Sequence, residues 1–234
     1  MASAQGVSTT QESRRKPRIA LFDLDHTLLH GDSDVLWCAF LIDKGVLERA
    51  EFERRNADIE KRYMAGSVEP AEFANFYLST LAGRTPAHWE VLRQEFLHTQ
   101  IVPRLPQAGR DLVRQHQQAG DTVVMTTATS RFLSELTARH LGFEHIIATE
   151  PELVDGVFSG VATGVLNMRA GKLTRLHAWL AARGATLDQF DSTGYSDSIN
   201  DLPMLEAVNR PVAVNADAKL AVIAAERGWR TLAL

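Results

Sequence analysis

Short apolar runs and amphipathic stretches divide this chain into segments with two different periods. The first run, Ile19–Phe22, ends in two aspartates one residue apart, Asp23 and Asp25. A short apolar run with polar bounds predicts a buried strand. From Asp34 to about Gln100 the pattern is helical instead. Stretches 48–64, 69–81 and 86–99 mix acidic and basic residues with apolar positions three and four apart. Gly45, Gly66 and Gly83 punctuate them, and Pro70 and Pro86 suit first helical turns. Trp37, Phe40, Phe73, Phe76, Tyr77 and Trp89 share this spacing. They are expected to form the core of the helical block, with one or two facing a pocket.

Beyond residue 104 the periods alternate. Helices are predicted over 107–119, 130–141, 172–183, 201–208 and 219–226, and strands over 122–127, 145–149, 190–195, 211–214 and 229–232. An Asp155-Gly156 pair between apolar positions predicts a hairpin over 153–165. Strands alternating with helices imply right-handed crossovers and a mainly parallel sheet with helices on both faces. The expected architecture is an α/β, Rossmann-like core domain of residues 17–33 and 104–234. Residues 34–103 form an inserted helical cap domain, and residues 1–16 a disordered tail.

Composition narrows the function. At 234 residues the chain is long enough for a full α/β domain plus an insertion. A net charge of −4 argues against a general nucleic-acid binder. Cys38 is the only cysteine, so no internal disulfide can form; it lies in an apolar helical pattern and reads as a packed thiol. No stretch reaches the ~18 apolar residues of a membrane span, and the polar first 16 residues lack a secretory core. A cytoplasmic location is the expectation.

Chemistry concentrates at strand ends. Asp23 and Asp25 are two apart in an extended chain and so share a side. Two adjacent carboxylates form either a solvated acidic turn or a site that needs a divalent cation or a shared proton. Thr127, followed by Ala128, Thr129 and Ser130, places a hydroxyl and backbone amides at a strand-to-helix junction, which suits a phosphate oxygen or a helix cap. Lys172 opens a helix, where a lysine is unfavourable for the dipole. It reads as a surface lysine or as the neutraliser of an anion. Asp197, Asn200 and Asp201 follow a strand in GYSDSINDLPML, a carboxylate and amide set suited to Mg²⁺. Asp32 reads as a helix N-cap or as a partner for a substrate cation. For Arg54, Arg55 and Arg62 surface ion pairing is expected.

The order DxDxT, strand-end Thr, helix-opening Lys and DxxxD resembles the haloacid dehalogenase superfamily of phosphohydrolases, in particular its phosphoserine phosphatase-like and histidinol-phosphatase-like members. The helical block looks like that superfamily's type I cap. The resemblance implies a nucleophile at Asp23 that forms an aspartyl-phosphate, and a general acid and base at Asp25. It implies phosphate binding by Thr127, Ala128 and Lys172. Mg²⁺ would be held by Asp23, the Asp25 carbonyl and Asp197, with Asn200 and Asp201 behind them. Asp25 argues against dehalogenation, since the dehalogenases lack that acid. The Tyr195–Asp201 loop departs from the glycine-rich loop of phosphoserine phosphatases, which leaves the substrate open. The expected activity is Mg²⁺-dependent hydrolysis of a small phosphomonoester such as histidinol phosphate or phosphoserine. A phosphotransferase of the same fold and a non-catalytic metabolite-binding module are the alternatives.

Overall fold

The computed structural model describes residues 16–64 and 69–234, with the side chains of residues 60, 63 and 64 left aside. The tail expected over residues 1–16 therefore lies, except for Lys16, outside the described residues, as does the expected turn at Gly66. Seven strands form one sheet among these residues: β1 (Arg18–Phe22), β2 (Thr122–Ser130), β3 (His145–Val154), β4 (Val157–Thr163), β5 (Asp191–Ser196), β6 (Arg210–Val214) and β7 (Arg230–Leu232). Their order is β4-β3-β2-β1-β5-β6-β7, and every neighbouring pair is parallel except β3–β4. That one antiparallel pair is the hairpin read from Asp155-Gly156, whose φ angles of 51° and 78° are those of a two-residue hairpin turn.

β1 is central because it can be buried on both faces. Ile19 and Leu21 enter one apolar cluster, with Leu176, Leu180, Met204, Leu205, Leu220 and Ala224. These come from α7 (Ala170–Ala181), α8 (Leu202–Ala207) and α9 (Ala218–Glu226). Ala20 and Phe22 enter the other, with Val113 of α5 (Gln107–Gln118) and Phe132, Leu133 and Leu136 of α6 (Arg131–His140). The pleat thus sends alternate residues into two helical layers. Phe22 pairs with Met125 on one side and Tyr195 on the other, so β1 and β5 end nearly flush while β2 runs on to Ser130.

Two strands run further than the apolar pattern implies. β2 continues to Ser130, because a bulge between Thr127 and Ser130 lets the polar TATS stretch stay extended. β3 continues to Val154 because the hairpin gives its exposed end a partner. α7 starts two residues earlier than expected. Arg169 sits at φ 51° and makes the turn, so Ala170 and Gly171 are already helical.

The inserted block contains α1 (Ser33–Asp43), α2 (Arg49–Met64), α3 (Pro70–Leu78) and α4 (Pro86–Phe96), and a π-helical turn over Leu97–Ile101. Pro70 and Pro86 occupy first turns. Trp37, Phe40, Trp89 and Phe96 pack into the cluster that holds Phe132 and Phe158, so this part of the insert shares a core with the sheet. A separate cluster of Cys38, Ile59, Phe76 and Tyr77, with Phe73 partly buried, lies within the insert. The hairpin clasps the insert: the Gly83 amide donates to the Phe158 carbonyl and the Phe158 amide to the Arg84 carbonyl. The Ala162 amide donates to the Asn75 side chain.

Candidate active site

Asp23 follows the last residue of β1, at the C-terminal edge of the parallel sheet, where open α/β sheets place ligands. Its amide donates to the Tyr195 carbonyl at 3.0 Å, which extends the β1–β5 ladder by one bond. Its carboxylate is buried and divided between two partners. Lys172 Nζ donates to Oδ1 at 2.8 Å, and Thr27 Oγ1 donates to Oδ2 at 3.0 Å. Lys172 also donates to Asp201 Oδ2 at 2.5 Å, and Ser196 Oγ donates to the same oxygen at 2.7 Å.

Lys172 is only 2% exposed, so its place in the first turn of α7 serves the sheet edge rather than the surface. Burial would lower its pKa, but Asp201 and Asp23 outweigh that and hold the ammonium well above its ordinary range. Burial raises the Asp23 carboxyl, as does the Asp201 charge, while Lys172 and Thr27 oppose the rise.

Asp25 sits clear of this lysine. The Ser33 amide and hydroxyl donate to its Oδ1, at 2.8 and 2.5 Å, and Thr129 Oγ1 donates to its Oδ2 at 2.5 Å. Burial, then the charges of Asp32 and Asp23, push its pKa to about 7 despite those bonds. Thr127 is fully buried, and its hydroxyl accepts from the Thr129 amide at 3.2 Å. The β2 bulge lifts Ala128 and Thr129 out of the β3 ladder and leaves Ala128 exposed at the strand end.

Thr27 joins the two halves of the site. Besides Asp23, its hydroxyl lies 3.1 Å from Asp197 Oδ1 and accepts from the Asp197 amide at 3.0 Å. Burial and the Asp23 charge raise the Asp197 carboxyl to about 8. Asn200 is half-buried on the loop between Asp197 and Asp201, and its amide donates to Ser198 Oγ. Among the described residues no three His, Cys, Asp or Glu side chains gather as a ready cation cage. Two carboxylates tied to one hydroxyl, each raised by burial and then by the charge of a neighbouring acid, are nevertheless a donor set suited to Mg²⁺. That ion takes one or two carboxylates and leaves its other positions to water and substrate oxygens.

Asp32 is half-buried and caps α1, with Oδ1 accepting from the Asp34 and Val35 amides at 2.9 Å. Asp34 lies close behind: burial and the charges of Asp32 and Asp25 raise its carboxyl well above the usual range. Arg54 pairs with Glu51, and Arg62 pairs with Glu72. The amino-acid pattern points to Asp23, Asp25, Thr127, Lys172, Asp197 and Asp201, but not to the hydroxyls of Thr27, Ser33, Thr129 and Ser196 that hold the acids. Thr27 was visible as the last letter of DxDxT, and Thr129 as the second threonine after the strand. Ser33 and Ser196 carried no signal beyond polarity.

The profile of the haloacid dehalogenase-like hydrolases matches residues 20–206, a span that contains every group described above. The chain belongs to this family. It is a hydrolase, and several of the relatives that match it over most of their length carry phosphatase names. It is 39% identical to a histidinol-phosphatase of Neisseria meningitidis, over 92% of this chain and 97% of that one. It is 33% identical to phosphoserine phosphatase SerB1 of Mycobacterium tuberculosis, over 93% of this chain and 72% of that one. A Bordetella pertussis crystal structure of unknown function superposes with a TM-score of 0.89 at 43% identity, covering 93% of this chain and 98% of that one. A phospho-aspartyl intermediate analogue of phosphoserine phosphatase superposes at 0.64, covering 94% of each chain; at 17% identity it supports the fold alone. Among the described residues no helix is long and apolar enough to cross a membrane.

Proposed function

We propose that this family phosphatase hydrolyses a small cationic phosphomonoester, histidinol phosphate in particular, through an aspartyl-phosphate on Asp23. One observation carries the substrate class. The charged group that acts most strongly on Asp25 is a carboxylate, Asp32, with Asp34 close behind it, while the buried lysine is taken by Asp23 and Asp201. Arginines on α4, α6 and α7 have acids of their own: Arg93 pairs with Glu90 and Glu135, and Arg131 and Arg175 pair with Glu150. A substrate ammonium or imidazolium would meet opposite charge there. The carboxylate of phosphoserine would meet like charge. The name of the Neisseria relative supports the same choice.

In this reading Asp23 attacks phosphorus as the ester P–O bond breaks. Asp25, with a pKa of about 7, is partly protonated near neutrality and gives its proton to the leaving alcohol. It then takes a proton from the water that cleaves the aspartyl-phosphate, and inorganic phosphate leaves. Thr127 and the amides of the β2 bulge bind phosphate oxygens, and Lys172 balances charge on the nucleophile. Mg²⁺ held by Asp23, Asp197 and the Asp25 carbonyl would neutralise phosphate charge. The helical insert acts as a cap domain over residues 34–103 that excludes water.

The test is phosphate release with Mg²⁺ from histidinol phosphate, phosphoserine and p-nitrophenyl phosphate. Wild type is expected to prefer histidinol phosphate, and Asp23→Asn to release nothing. Asp32→Asn keeps a capping side chain but removes a charge. It should cut kcat/KM for histidinol phosphate about tenfold and leave the aryl ester unchanged, on the scale of one charge-assisted contact. A preference for phosphoserine would reject the substrate class, and an active Asp23→Asn the mechanism.

A further inference from the structure

We infer that Tyr195 is a positioning residue for the Asp23 nucleophile, held in place by His116 and Asp121. The inference rests on the mechanism above. Tyr195 lies one residue before the end of β5 and is only 3% exposed. It grips the end of β1 in two ways. Its carbonyl accepts the Asp23 amide at 3.0 Å, and its ring stacks on Phe22 with centroids 4.5 Å apart and planes 6° from parallel. Two residues further along the same strand direction stands Asp197, so Tyr195 sets the spacing of both candidate cation-binding carboxylates.

The ring would pack as well without its hydroxyl, yet the hydroxyl is built into a chain of polar groups. It lies 2.8 Å from His116 Nε2, and His116 Nδ1 lies 2.7 Å from Asp121 Oδ2. The Asp121 side chain is 6% exposed, and its other oxygen pairs with Arg18 Nε at 2.5 Å. A carboxylate oxygen only accepts, so the ring proton of His116 sits on Nδ1 and is donated to Asp121. The Nε2 lone pair of His116 then accepts from the tyrosine hydroxyl, which fixes the tautomer. Arg18 opens β1 and Asp23 follows its end, so the chain Arg18–Asp121–His116–Tyr195 closes a loop beneath the strand that bears the nucleophile. His116 and Asp121 are largely buried, and buried polar groups cost desolvation unless paired; both His116 nitrogens and Asp121 Oδ2 have their partners, while Asp121 Oδ1 faces the half-exposed Arg18 as an ion pair. None of these groups touches a reacting atom; they act on where Asp23 stands.

The experiment compares Tyr195→Phe, His116→Asn and the double variant with wild type, as full chains with Mg²⁺. Tyr195→Phe keeps the stacked ring and the backbone bond, so it folds. Using p-nitrophenyl phosphate and histidinol phosphate, each single variant should lower kcat about fivefold with KM unchanged, the scale of one net hydrogen bond. The double variant should be no worse than the poorer single, because both break the same link. Amide exchange at Asp23 should accelerate about fivefold in Tyr195→Phe, the same loss read at the backbone. Wild-type kcat in Tyr195→Phe, losses that multiply in the double variant, or a change confined to KM would overturn the positioning role. If wild type releases no phosphate from any ester, the proposed function fails. Asp23 exchange then decides the inference alone, and an unaltered rate overturns it.

Discussion

Hydroxyl groups, rather than additional charges, hold the carboxylates of this site. Thr27 serves two of them at once, Asp23 at 3.0 Å and Asp197 at 3.1 Å, and it also accepts the Asp197 amide. With one proton to donate, it cannot satisfy both acids fully, and a cation between them would relieve the remaining repulsion. Thr27→Val keeps the shape and removes the tie. Half-saturation of phosphate release by Mg²⁺ should then require about tenfold more ion, as for other outer partners of metal ligands. A titration giving the wild-type midpoint would show that Thr27 is only core packing. Asp25 offers a second test. Asp25→Asn removes the proposed proton donor while keeping a side chain whose oxygen accepts from Ser33 and whose amide nitrogen donates to Thr129 Oγ1, and it should lower kcat by at least about a hundredfold. The loss should be smaller for p-nitrophenyl phosphate, whose leaving group needs little protonation. Equal losses for both esters would remove Asp25 from the acid role.

Elements bring these residues together through turns that tolerate little change. α7 delivers Lys172 to Asp23 because the chain doubles back just before it. A Cβ on Gly171 would stand 2.2 Å from the Leu166 carbonyl oxygen, which backbone cannot yield without moving the helix. Gly171→Ala should therefore lower the urea midpoint by the equivalent of about 1–3 kcal/mol, the usual cost of forced overpacking. It should also depress kcat by shifting Lys172; a variant stable and active as wild type would show that the turn has slack. The apolar strand β1 and the acids after it were legible in the amino-acid pattern, because burial on two faces leaves a continuous apolar run and charges can follow only at its edge. Lys172 was legible as a helix-opening lysine, though not as a buried one, since burial depends on partners 29 and 149 residues away. The β2 bulge was not legible. TATS has the composition of a helix cap, and what keeps it extended is pairing with Thr149 across β3. Asp32 reads from the sequence as either a cap or a cation partner; the structure supplies its capping bonds and places the Asp34 carboxyl close by at the same junction.

At the scale of the whole molecule the site is an acidic edge built around one buried lysine, and that imbalance sets how stability responds to pH. Asp25 and Asp197 have pKa values of about 7 and about 8 in the fold, against an ordinary 3.8. Between those limits the folded chain binds more protons than the unfolded chain. Stability from these two groups is therefore present at low pH and is lost as pH rises through the folded values. Lys172 titrates above this window and does not change the sign within it. In EDTA, the melting temperature should fall as pH is raised from about 5 to about 8. Mg²⁺ at the proposed site would compete with those protons for the same carboxylates, and so would bind more tightly as they leave. The stabilisation it confers should be small at the acid end and largest at the alkaline end. Mg²⁺ binding near neutrality should also release protons, which calorimetry in buffers of different ionisation enthalpy would count. A melting temperature that stays level or rises with pH in EDTA would mean that the acids are already compensated within the protein. An Mg²⁺ effect independent of pH would mean that the ion binds away from Asp23 and Asp197.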